Sequence, residues 1–184
     1  MDGIKKIDLI PYEIRIASAY LYLGEKEKAV AMMNYYLGLC RPKGWNEFGE
    51  VVRYNYRDPG YLGDMPHTWA ASIFVNFVRS MFVMEKESSL ILGAGVDENG
   101  LDKGISVKKL PTWFGDISYS IQQDKNSVKF EASGTANPEK GFVLKSPYLN
   151  KPVKSVTING KESTDFKGRD IPFNQLPSQI VINY

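Results

Sequence analysis

Gly63-Asp64-Met65-Pro66-His67-Thr68-Trp69-Ala70 is a loop that turns straight into a helix. Pro66 suits a first helical turn, where its missing N–H has no intrahelical partner to lose. Asp64 stands just ahead, where a carboxylate caps free backbone N–H groups and meets the positive helix end. Behind this start the apolar residues are Trp69, Ala70, Ile73, Phe74, Phe77, Val78, Met81 and Phe82. Their spacing alternates between one and three, which makes a wide helical stripe and no strand pattern. The expected helix runs from Pro66 to about Glu85. The only histidine of the chain, His67, falls on its first turn.

Upstream, Pro11 opens a helical pattern through Ile14, Ala17, Ser18 and Leu21, and Gly24 reads as its left-handed C-cap. Glu25-Lys26-Glu27-Lys28 starts a second helix carrying Ala29, Val30, Met32, Met33, Tyr36, Leu37 and Leu39, which stops near Arg41-Pro42-Lys43-Gly44. The pair is an αα-hairpin. Between it and the His67 helix lies a long loop rich in aromatic and acidic residues, unusual between two helices.

Downstream, composition changes near Ser88. From Ser89 the signal has period two, with strands expected at Leu90–Leu92, Ile105–Val107, Ile117–Ile121, Val128–Glu131, Gly141–Leu144, Ser155–Ile158 and Ile180–Ile182. Asn159-Gly160 marks a hairpin. Helices first and short strands second imply an α+β chain: a helical region over residues 1–88 and an antiparallel β-sandwich over 89–184.

Composition narrows the function. With 184 residues, 43% of them hydrophobic, the chain has globular make-up and room for one domain or two small ones. A net charge of +2 leaves no electrostatic footprint for nucleic acid or for an anionic membrane. No stretch approaches the roughly 20 apolar residues of a membrane span. Met1-Asp2-Gly3-Ile4-Lys5-Lys6 lacks the apolar core of a signal peptide. Localisation therefore stays open. Cys40 stands alone, which excludes an intrachain disulfide and a cysteine-based zinc cage, and one histidine argues against a His-rich metal site. No cofactor or metal is expected.

No phosphate-cradling loop, nucleophile elbow or His-Glu-x-x-His motif is present. What remains is a cluster of carboxylates and aromatics around one histidine: Glu47, Glu50, Asp58 and Asp64, with Trp45, Tyr54, Tyr61 and Trp69. Sugar hydrolysis uses such a mix. Two carboxyl groups act as acid and base, about 6.5–9.5 Å apart when water attacks directly. Aromatic faces stack on a pyranose, and a neutral histidine both donates to and accepts from hydroxyls. The plain structural reading makes Glu47 and Glu50 a solvated helical turn and Asp64 a cap.

The runs Trp45-Asn46-Glu47 and Gly63 to Ala70 resemble the last hairpin of six-hairpin bacterial glycosidases. Leu90-Ile91-Leu92-Gly93-Ala94-Gly95-Val96, Gly104 to Thr112, and Phe114-Gly115-Asp116-Ile117-Ser118-Tyr119 extend the likeness over about residues 10 to 184. The nearest type is the α-L-rhamnosidase, in which a helical α/α toroid is closed by a C-terminal β-sandwich. This chain supplies about three helices where that family has six hairpins, and no residue here matches the family's general acid. The resemblance therefore implies a C-terminal portion that contributes the late rim of a sugar pocket and is inactive alone. His67 and Trp69 would be substrate contacts, with Asp64 beside them, Trp45 a platform and Glu47 a pocket carboxylate or catalytic base. The partners implied are a carbohydrate and either an upstream helical domain or a second copy on the exposed helix face. The alternative is a non-catalytic carbohydrate-binding or protein-interaction module.

Overall fold

The computed structural model describes residues 13–39, 47–53, 55, 57, 59–60, 63–96 and 98–184. The chain is α+β and divides into two compact units, Met1–Ser80 and Met81–Tyr184.

In the first unit, α1 (Ile14–Tyr22) packs on α2 (Lys26–Leu39). α1 buries Ile14, Ala17 and Leu21, and α2 buries Ala29, Met33 and Tyr36. The turn between them is the expected glycine stop. Gly24 sits at φ 85, its N–H donates to Leu21, and the Glu25 N–H donates to Tyr20. These two bonds define a Schellman motif, which only an αL residue at Gly24 allows. The expected end of α2 near Arg41 lies outside the described residues, as does Cys40.

α3 (Thr68–Phe82) differs from the expected span at both ends. At its start the His67 N–H donates outward to the carbonyl of Phe48 at 2.7 Å, while the His67 carbonyl accepts from Ala71 at 3.1 Å. His67 is therefore the capping position, and Pro66 precedes the helix rather than sitting in its first turn. Ala70, Ile73 and Phe77 are buried. They lie within about 60° of one another around the helix, at 100° per residue. Trp69 stands at the margin of that arc and Val75 opposite it, and they are 57% and 62% exposed.

The second unit holds two sheets that share one core. One has the order β1-β2-β6-β9, formed by β1 (Val83–Lys86), β2 (Ser89–Leu92), β6 (Phe142–Lys145) and β9 (Asp170–Phe173). The other has the order β3-β4-β5-β10-β7-β8. Its strands are β3 (Ile105–Thr112), β4 (Gly115–Asp124), β5 (Ser127–Gly134), β7 (Ser155–Ile158), β8 (Lys161–Ser163) and β10 (Ser178–Asn183). All pairings are antiparallel except β2 with β6, so the second unit is a mixed rather than a purely antiparallel structure. Leu90, Leu92, Phe142, Leu144, Ile171 and Phe173 of the small sheet meet Ile117, Ile121, Val128, Phe130, Ile180 and Ile182 of the large one. The Phe130 and Phe173 rings join the two sheets edge-to-face at 5.8 Å. This is the layered burial expected of a β-sandwich. Pro111 and Pro172 both sit on edge strands, where no ladder bond is lost.

β1 lies inside the 1–88 segment read from sequence as helical. Val83 prolongs the helical stripe of α3, and the two-residue turn Glu87-Ser88 carries none of the usual Asn or Gly. Both residues nonetheless adopt positive φ, 49 and 67, in the manner of a type I′ hairpin. Asn159-Gly160, at φ 50 and 77, closes the hairpin its sequence announces.

Candidate functional site

The loop before α3 is held by a ladder to the segment 47–53. Glu50 N–H donates to the Asp64 carbonyl and Gly63 N–H to the Val51 carbonyl, both at 2.8 Å, and His67 N–H to Phe48 completes the series. Gly63 permits this approach: a Cβ there would meet the Val51 nitrogen and the Glu50 Cβ, each at 3.1 Å. Glu47 and Glu50 thus lie on a bent, non-helical segment and not on the helical turn of the plain reading.

One consequence is a hollow of about 250 Å³ lined by Glu47, Phe48, Pro66, His67, Thr68, Ala71 and Phe74. The rings of Phe48 and Phe74 meet at 5.4 Å in a tilted pair and form an apolar wall. Glu47 is exposed at its mouth, whereas the His67 side chain is 12% exposed. The Asp64 carboxylate stands 3.6 Å from His67 Nδ1 but is itself 77% exposed. At that separation the contact is too long for a hydrogen bond, and it is an ion pair only when His67 is protonated.

The structure therefore brings Glu47 and His67 together and sets Asp64 behind the imidazole. Trp69 does not line the hollow. Trp45, Tyr54, Asp58 and Tyr61 lie outside the described residues. Phe48, Thr68 and Ala71 are lining residues that the sequence reading passed over. Nothing in the local sequence Glu47-Phe48-Gly49 marks the phenylalanine as a wall, because its partner Phe74 is far along the chain. Among the described residues, no group of three or more His, Cys, Asp or Glu could hold a metal ion. No helix among them is long and apolar enough to cross a membrane.

The hollow is smaller than the about 300–1,000 Å³ of a drug-sized pocket, so it has room for one small ring rather than for a chain. Its polar groups are one carboxylate, one imidazole and the Thr68 hydroxyl, over apolar walls. Such a set can grip vicinal hydroxyls and cover a C–H face. Among the described residues it has one lining carboxylate, short of the carboxylate pair that glycoside hydrolysis uses.

In comparisons with protein-family models, curated proteins and solved structures, the chain matches none.

Proposed function

We propose that this chain is the C-terminal portion of a carbohydrate-active, glycoside-hydrolase-like protein of the α-L-rhamnosidase type. Its helices are the closing part of an α/α toroid, its hollow is the late rim of a sugar pocket, and its two sheets are the structural sandwich. The observation that carries the reading is that Glu47 and His67 share one hollow walled by Phe48 and Phe74. Exposed Trp69 and Val75 leave apolar surface on two sides of α3, which suits an upstream helical domain or a second copy. Glu47 is the pocket carboxylate and potential base, and the acid comes from elsewhere in the larger protein.

The test is titration of the 184-residue protein with L-rhamnose and other neutral monosaccharides, followed by NMR. Shifts are expected at His67, Thr68 and Phe74, and their loss is expected in His67→Ala and Glu47→Ala variants that keep the wild-type fold. No turnover of aryl glycosides is expected. Absence of any sugar-induced shift at these residues refutes the pocket, and turnover by the isolated chain refutes the assignment of the acid to another segment.

A further inference from the structure

A larger and differently charged hollow lies in the second unit. It measures about 570 Å³ and is lined by Lys125, Lys151, Lys154, Asn126, Asn150, Gln123, Pro152, Tyr148 and Tyr184. Among the described residues, three lysines and three side-chain amides line it, and none of the lining residues is acidic. Asp124, next to it in sequence, is occupied by an ion pair with Lys129. Lysines grouped around a concave surface focus a positive potential that a chain of +2 net charge does not show as a whole.

Its floor is fixed. The Tyr148 hydroxyl donates to Gln123 Oε1 at 3.0 Å, and Gln123 Nε2 donates to the Lys125 carbonyl at 3.3 Å. Tyr184 and Ser146 share a hydroxyl–hydroxyl bond of 2.7 Å, and the Arg169 guanidinium holds the Ser146 carbonyl with two bonds of 2.9 and 2.7 Å. The Tyr148 and Tyr184 rings meet edge-to-face at 4.6 Å, and the Lys151 ammonium stands 3.9 Å over the Tyr148 ring. Groups fixed in this way lose little entropy when a ligand arrives.

We propose that this cleft binds an acidic saccharide, with Lys125, Lys151 and Lys154 receiving its carboxylate or sulfate and the amides of Asn126 and Asn150 its hydroxyls. The positive charge calls for an oxyanion. A volume far beyond that of an inorganic ion, with amides around it and Pro152 and Tyr184 as apolar surface, calls for a sugar to carry it. The saccharide half of this inference rests on the carbohydrate reading above, and the oxyanion half does not.

The test is isothermal titration of the full chain with an oligogalacturonate, its neutral galactose counterpart and sodium sulfate. Oligogalacturonate is expected to bind, with affinity falling as salt rises. The Lys151→Ala/Lys154→Ala protein should bind at least about tenfold more weakly, as should wild type toward the neutral oligomer. Lys161→Ala, on β8 and outside the cleft, should bind as wild type does, and unchanged thermal unfolding shows that the variants are folded. Four results overturn the proposal: no binding, equal binding of the neutral oligomer, sulfate binding as tightly as the saccharide, or undiminished binding by the double variant. His67→Ala separates the two sites. It should abolish neutral-sugar shifts at the α3 hollow and leave oligogalacturonate binding intact, so either site can fail alone.

Discussion

The backbone N–H of His67 donates to the carbonyl of Phe48 at 2.7 Å, and that bond places the two walls of the α3 hollow. It satisfies one of the N–H groups that have no partner within the helix at its start, and so anchors the beginning of α3 to the 47–53 segment. It also carries the Phe48 side chain to within ring contact of Phe74, two turns into α3. Backbone pairing and side-chain packing thus set the same register between the 47–53 segment and the helix.

Phe48→Ala follows directly. Phe48 is 7% exposed, and its ring is the described partner of Phe74. Truncation removes the wall and leaves a cavity, at a cost of about 3 kcal/mol for a buried phenylalanine. Urea unfolding followed by helical circular dichroism should show a lower midpoint, and the sugar-induced shifts at His67 should vanish. A wild-type midpoint would mean that the two rings do not hold the loop to the helix.

Gly95 and Gly38 should respond oppositely to alanine. Gly95 N–H donates to the Met81 carbonyl at 2.9 Å, and Gly93 N–H to the Phe82 carbonyl at 2.9 Å, so the turn after β2 satisfies the last carbonyls of α3. A Cβ on Gly95 would fall 2.5 Å from Met81 Cγ and 2.9 Å from Met81 Cα. The second of these is backbone and cannot swing aside, so Gly95→Ala should destabilise the second unit by about 1–3 kcal/mol. A Cβ on Gly38, within α2, meets nothing within 4 Å. There the lower backbone freedom of alanine should stabilise the helix by about 0.5–1 kcal/mol. Thermal unfolding of both variants checks the contrast.

The fold was legible where one residue type forces one geometry. Gly24 stops α1, Asn159-Gly160 turns β7 into β8, and the alternating one-and-three spacing makes α3. It was hidden where tertiary pairing overrides local preference. Val83 to Lys86 could continue the helix, and they become β1 only because β2 supplies a partner across a Glu87-Ser88 turn. The strand β9, Asp170–Phe173, was missed because four residues with a central proline carry no alternation to detect. At the site, Glu47 and His67 were found because their chemistry is scarce in this chain. The lysine cleft was not, because Gln123, Lys151 and Tyr184 come from three separate stretches, and nothing in their spacing predicts that β-sheet packing brings them together.

Asp64 tests how far the His67 environment depends on charge. Its carboxylate is 3.6 Å from Nδ1 and 77% exposed, so water and salt screen the pair. Exposed pairs contribute about 0–1 kcal/mol, and this one, beyond hydrogen-bond length, belongs at the low end. Asp64→Asn should leave the unfolding midpoint nearly unchanged, whereas Gly63→Ala should lower it by forcing apart the ladder between Val51 and the loop. If Asp64→Asn proved the more damaging of the two, the charge rather than the backbone ladder would be organising the loop.

Tyr184 gives the second unit a dependence on alkaline pH. Burial raises its phenol from the ordinary 10.0 to about 12, with the nearby Tyr148 adding to the rise and the Ser146 bond and Arg169 opposing it. Burial also pushes the Tyr119 hydroxyl far up, against the pull of the Gly93 N–H, and that hydroxyl donates to the Phe82 carbonyl at 2.8 Å. In both cases the fold favours the neutral phenol. Above pH 10 the unfolded chain sheds protons that the folded chain keeps, so the unfolded state gains on the folded one as pH rises. The stability contributed by Tyr184 is therefore complete below pH 10 and is lost by about pH 12. Tyr184→Phe should flatten that part of the stability profile, even though it removes the bond to Ser146 and lowers stability at neutral pH by about 1 kcal/mol. Urea midpoints measured across the alkaline range, beside the tyrosinate absorbance of folded protein, check both parts. A variant whose midpoint falls as steeply as that of wild type above pH 10 would place the alkaline sensitivity in Tyr119 instead.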